Sequence, residues 1–193
     1  MQVLKEEIRN KILQVSEKMF YELGFQTTSM RKIATEVNVS VSNLYKYFQN
    51  KEALYNEITQ EFYYQFLSKM KEFFAHEHDQ TNMIKLDRIK EVSSVISDVI
   101  MKDRIKFVII MDKSEGTRYQ DFKEKLIKGV KNHILDDIDR NKMTSDFVVE
   151  VLSRNFWEAI LNITRDFRDK ERFHNDIDLF IRYHLAGIAP FFK

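Results

Sequence analysis

Cysteine is absent from the 193 residues, glycine occurs four times, and the single proline is Pro190. Without thiols there is no disulfide scaffold, no thiolate metal site and no cysteine nucleophile, and a reducing compartment suits the chain. Glycine and proline supply the turns of sheet proteins, so their scarcity points to long helices joined by few connections. Long apolar runs are missing too. The longest is Phe107 to Met111, far short of the roughly 20 residues that span a bilayer. The N-terminal MQVLKEEIRNKI mixes acids and bases where a secretory signal would be apolar. The expectation is an all-α, cytoplasmic protein with no membrane contact.

What is present is 44% hydrophobic and 32% charged residues with a net charge of +1. Residues 1–51 carry eight Lys/Arg against five Asp/Glu, whereas residues 52–193 carry 23 against 25. A mildly basic head on a mildly acidic body fits contact with a polyanion through the head alone. No phosphate-cradling glycine loop and no spacing that implies a Ser-His-Asp or paired-carboxylate centre is visible, so no catalytic residue is assigned. His76 and His78 in AHEHD alternate in what reads as a loop; neither they nor any other residues are assigned to a metal, and no cofactor is expected.

Apolar residues at Ile8, Ile12, Val15, Met19 and Leu23 predict a helix over 3–23, with Gly24 ending it. A second helix, capped by Thr28 or Ser29, buries Met30, Ile33, Ala34 and Val37. Asn38 follows, a residue that tolerates the left-handed backbone of a tight turn. Ser40 caps a short third helix burying Leu44 and Phe48, and Asn50 caps a fourth. The fourth helix runs to about residue 74 with Leu54, Ile58, Phe62, Phe66, Met70 and Phe73 on one face. It connects a head at 1–51 to a body at 52–193 without a slack linker. After a break at 75–82, helical patterns resume over 82–102, 104–113, 117–140, 145–169 and 172–189, with 113–119 as a loop. That makes about nine helices.

Two helices around a tight turn, the second short and polar on its outer face, form a helix-turn-helix pattern. Ser29, Arg31 and Lys32 open the second helix, where free N–H groups, a hydroxyl and cations converge on a phosphate. Ser40, Val41, Ser42 and Asn43 form the leading turn of the recognition helix. Asn43 is suited to adenine and Val41 to a thymine methyl.

The set Gly24, Thr28, Ile33, Ala34, Val39, Ser40, Leu44, Tyr45, Phe48, Lys51, Glu52 and Leu54 resembles the TetR family of transcriptional regulators over about the first 60 residues. Asn38 stands where that family usually has glycine, and Ser42 where a glycine or small residue is common. The resemblance implies an N-terminal helix-turn-helix domain and a larger helical domain for ligand binding and dimerisation. It implies DNA contacts through Thr28, Ser29, Arg31, Lys32, Ser40, Val41, Ser42, Asn43, Tyr45, Lys46, Tyr47 and Lys51, with Tyr45 and Tyr47 on backbone phosphates. A near-palindromic operator read by a homodimer is the expected target.

The body is rich in aromatics. Phe66, Phe107, Met111, Phe122 and Trp157 are the candidates to line a site for a small, largely apolar effector, although the same stripes also suit plain core. In the last two helices Leu152, Phe156, Ile160, Ile163, Phe180, His184, Gly187 and Ile188 are the dimer-interface candidates, and those stripes could equally face the body's own core. The expected function is a sequence-specific regulator, a repressor released by its effector. The alternative is a DNA-bound scaffold whose body recruits a protein partner.

Overall fold

The structure, a computed structural model, describes residues 2–75 and 86–192. Among them are nine α-helices, α1 (Gln2–Thr27), α2 (Met30–Val37), α3 (Val41–Tyr45), α4 (Lys51–Ala75), α5 (Leu86–Lys102), α6 (Arg104–Asp112), α7 (Phe122–Asp137), α8 (Asp146–Arg165) and α9 (Lys170–Ile188), and a 3-10 turn at Ala189–Phe191. The described residues contain no strand beyond a single bridge between Ile138 and Phe192. The fold class is all-α, as the scarcity of glycine and proline led us to expect. His76, His78 and most of the 75–82 break lie outside the described residues.

Two compact units emerge, Met1–Gln65 with Ile105–Asp121, and Phe66–Arg104 with Phe122–Lys193. The first extends beyond the helix-turn-helix because α6 and the loop after it pack on α1 and α4. Tyr55 stacks against Phe20, Phe25 and Tyr119 at centroid distances of 5.0, 5.2 and 5.9 Å. Its hydroxyl donates to the Ile109 carbonyl at 3.4 Å, and burial together with neighbouring Tyr119 pushes the phenol pKa well up. Phe25 N–H donates to the Lys113 carbonyl at 3.0 Å. A division at residue 51/52 therefore marks where the reading helices end; by packing, the head takes in more chain.

Helix α1 departs from the stripe read in its sequence. Its fully buried residues are Ile12, Ser16 and Phe20, and Leu23 is 45% exposed. A 3.6-residue period admits either stripe; contact with Tyr55 selects the one containing Phe20. Gly24 has φ 80 and ψ 166, so the helix is interrupted there and Phe25 turns inward. That backbone region is open to glycine alone. Along α4, Leu54, Ile58, Phe62, Phe66 and Met70 are buried as their spacing requires; each such burial stabilises by roughly 1.5–3 kcal/mol.

Helix α7 begins at Phe122, not at residue 117. Side chains stop it from starting sooner. Ser114 Oγ donates to the Ile110 carbonyl at 2.8 Å, Thr117 Oγ1 to the Ser114 carbonyl at 2.7 Å, and Tyr119 N–H to Thr117 Oγ1 at 3.1 Å. Hydroxyls near the backbone compete with helical bonding in this way. Gly116, at φ 81, completes the loop.

In the second unit α5 packs on α9, and α8 on both α7 and α9. Ser93 Oγ donates to Asp178 at 3.0 Å across α5 and α9. Between α7 and α8, Lys123 pairs with Glu158, Lys131 with Glu150, and Arg154 with Glu124. Ser145 and Asp169 cap α8 and α9. No helix among the described residues is long and apolar enough to cross a membrane.

Candidate nucleic-acid interface

The turn that orients the reading helix rests on Asn38, at φ 64 and ψ 49. It is the one non-glycine residue with positive φ among those described. Its N–H bonds the Thr35 carbonyl at 3.1 Å, and Val39 N–H bonds the Ala34 carbonyl at 2.9 Å. Ser29 Oγ accepts from Lys32 N–H at 3.2 Å to start α2, and Ser40 Oγ accepts from Asn43 N–H at 3.1 Å to start α3. Ile33, Ala34, Val37, Leu44 and Phe48 are buried beneath the pair. The two helices are thus fixed by caps at their starts and by core on their inner sides.

The opposite face is polar and exposed. Ser29, Arg31, Lys32, Ser40, Val41, Ser42, Tyr45 and Lys46 are all exposed, while Asn43 and Tyr47 are half-buried. Tyr45 is 49% exposed. Met19, Ser29, Arg31, Lys32, Thr35 and Glu36 line an open groove of about 510 Å³ beside the start of α2. Lys32 Nζ already donates to the Thr27 carbonyl at 3.0 Å and retains further N–H donors.

Two of the twelve candidates sit differently. Thr28 is 1% exposed, and its hydroxyl donates to the Gly24 carbonyl at 2.8 Å. It braces the chain reversal before α2, so it does not present a donor to solvent. Lys51 is turned inward: Nζ donates to the carbonyls of Phe25 at 2.7 Å, Gln26 at 3.4 Å and Thr28 at 2.8 Å. The ammonium also sits 4.1 Å from the centre of the Phe25 ring. Burial lowers its pKa. An ammonium has three donors, and three carbonyls occupy them. Lys51 is therefore a clamp holding the start of α4 against the end of α1. Nothing in its sequence position distinguishes a clamp from a phosphate contact.

The five ligand-site candidates divide between the units. Phe107 and Met111 are buried in the first. Phe66, Phe122 and Trp157 come together in the second, with Phe66 5.5 Å from Phe122 and 6.2 Å from Trp157 by ring centroids. Of the dimer candidates, Phe156, Ile160 and Ile188 are buried within their own chain. They are core and cannot themselves form an exposed seam. Leu152, Ile163, Phe180 and His184 are half-buried, and Gly187 is exposed. Burial also pulls the His184 pKa down to about 4, keeping the imidazole neutral.

The exposed apolar side chains in this unit are Phe147 (74%), Val148, Val151, Leu179 (68%) and Tyr183 (76%). Phe147 and Val151, like Leu179 and Tyr183, stand four residues apart. They form second stripes beside those that pack inward. The i, i+4 spacing was present in the sequence, but only the direction of the neighbouring helices shows which stripe is left outside.

A left-handed turn between two capped helices, with an exposed polar face over an apolar core, defines a helix-turn-helix DNA-binding module. Residues 12–58 match the model described as bacterial regulatory proteins, tetR family. Residues 12–58 thus carry the DNA-binding domain of the bacterial tetR regulatory family, and the chain is similar to TetR-family transcriptional regulators. It is 22% identical over 142 residues to the probable HTH-type transcriptional regulator YttP of Bacillus subtilis (strain 168), a match covering 60% of this chain and 68% of that protein. A local match to the HTH-type transcriptional regulator HbdR of Aromatoleum sp. (strain CIB) reaches 41% identity over 49 residues, 25% of this chain and 21% of that one. In fold, the chain is similar to the ketosteroid transcriptional regulator KstR2 of Mycobacterium tuberculosis, with a TM-score of 0.66 at 18% identity over 96% of this chain and 95% of the other.

Proposed function

We propose that this regulator is a cytoplasmic homodimeric repressor that occupies a near-palindromic operator and is released by a small, largely apolar effector bound in the second unit. The observation that carries the DNA-reading part is the segregation on α2 and α3: Leu44 is fully buried while Val41, Ser42, Tyr45 and Lys46 are exposed. On this reading Val41, Ser42 and Asn43 meet base edges, whereas Ser29, Arg31, Lys32, Tyr45, Lys46 and Tyr47 hold phosphates. Ser40 contributes chiefly by capping the helix that carries them.

Dimerisation is supported by the apolar side chains left outside on α8 and α9. Phe147, Val151, Leu179 and Tyr183 would be covered by the same helices of a second copy, as a two-fold interface requires. The exposed Gly187 adds no side chain to that surface. One short recognition helix holds DNA weakly; two heads spaced by a helical turn multiply the contact.

For release, the effector must bind the spread form of the dimer better than the DNA-competent form. A tenfold loss of operator occupancy needs about 1.4 kcal/mol of such preference. Helix α4 is continuous from Lys51 to Ala75, which makes it the segment through which a displacement would reach the head. Selection of bound duplexes from a random pool at near-physiological salt tests the proposal. Recovery of a near-palindrome supports it; recovery of no preferred sequence contradicts it.

A further inference from the structure

We propose that the effector carries a neutral hydrogen-bond acceptor, a carbonyl or ether oxygen on an apolar frame, and that the indole N–H of Trp157 is the donor that recognises it. The inference rests on the ligand-binding reading of the second unit and specifies its chemistry. Trp157 is 1% exposed, and its Nε1 is buried without a hydrogen-bond partner. Other buried donors on the same helix are satisfied. Ser153 Oγ donates to the Val149 carbonyl at 2.8 Å and Thr164 Oγ1 to the Ile160 carbonyl at 2.7 Å.

An unmet buried donor costs about 1–3 kcal/mol. An acceptor carried in by a ligand would remove that cost. Indole nitrogen donates and does not accept, so the missing partner is an acceptor. The rings around it, Phe156 at 5.4 Å and Phe66 at 6.2 Å between centroids, supply none beyond their π faces.

The surroundings favour a neutral ligand over a carboxylate. The rings packed on the indole, Phe66 and Phe156, carry no charge to meet one. His184, 4.9 Å from Phe156 between ring centroids, adds an uncharged imidazole to the cluster. An apolar frame with one oxygen matches the Phe66 and Phe156 faces beside the Trp157 N–H.

The test compares matched pairs that differ only in the acceptor, 1-tetralone with tetralin and cyclohexyl methyl ketone with ethylcyclohexane, by titration calorimetry on the full-length protein. We expect at least one ketone to bind about tenfold more tightly than its hydrocarbon, the equivalent of about 1.4 kcal/mol. Trp157→Phe should remove that preference, so that each ketone and its hydrocarbon bind the variant alike. The carbonyl stretch of the bound ketone should lie lower in the wild type than in the variant. Should Trp157→Phe fail to fold, β-(3-benzothienyl)alanine at position 157 keeps the ring size and replaces the N–H with sulfur. A ketone preference that survives either change overturns the assignment, as does equal affinity for both members of a pair in the wild type. Failure of every compound to bind the wild type is a different result: it contradicts the ligand-binding reading, and the assignment falls with it.

Discussion

The head and the last two helices solve opposite surface problems. Around α2 and α3 the large apolar side chains are inside and the outer face is hydroxyl, amide and cation. Along α8 and α9, Phe147, Leu179 and Tyr183 are each more than two-thirds exposed. A polar, cationic surface is stable in water and finds a polyanion by charge. A contiguous apolar surface is costly in water and finds another protein surface by burial. The same chain thus displays one face suited to DNA and another suited to a second copy of itself.

The comparison breaks most severely if the apolar side is charged. Leu179→Glu with Tyr183→Glu should yield monomers in sedimentation and cut operator affinity by 100-fold or more, while the circular dichroism of the head is retained. Unchanged dimers would remove α9 from the interface. Next in size is the Lys51 clamp. Lys51→Met should lower unfolding free energy by about 2 kcal/mol in urea titrations, from the loss of charge-assisted bonds to three carbonyls. A variant of normal stability with a flatter salt dependence would instead make Lys51 a phosphate contact.

Lys46→Ala lies on the polar side and leaves the core alone. Stability should be unchanged, and the slope of log affinity against log salt should fall by about one for each head. A variant that loses stability instead would show Lys46 to be structural. The pH response of the second unit is smaller still under ordinary conditions. His184 is held near 4 when folded, against an ordinary value of 6.5. The unfolded chain therefore binds the extra proton between these values, and stability rises with pH across that window. It should be complete above pH 6.5 and fall by up to roughly 3 kcal/mol as pH drops towards 4. His184→Gln should flatten that part of the curve; an identical curve would exclude His184 as its source.

The fold was legible because local signals agreed with one another. Ser29, Ser40 and Asn50 cap the helices their types and positions suggested, and Asn38 adopts the backbone its chemistry permits. Lys51 and Thr28 were ambiguous in sequence for a common reason: a short polar side chain or an ammonium beside a helix start serves a ligand or a nearby carbonyl equally well. Only the path of Phe25 through Thr28 decides between them, and Gly24 sets that path. For α8 the period identified apolar residues correctly but could not say which stripe the neighbouring helices would cover. Phe156 and Ile160 went inside, leaving Phe147 and Val151 outside. The packing of 105–121 with the head was equally hidden, because it depends on contacts between Tyr55, Ile109 and Tyr119 far apart in sequence.

Inserting five base pairs at the centre of the selected operator gives the most direct test of two heads acting as one reader. The insertion leaves both half-sites intact but turns one by about half a helical turn relative to the other, since B-DNA repeats every 10–10.5 base pairs. The account predicts that affinity falls to that of a single half-site. Affinity equal to that of the uninterrupted operator would show the heads binding independently and would contradict the dimeric reader.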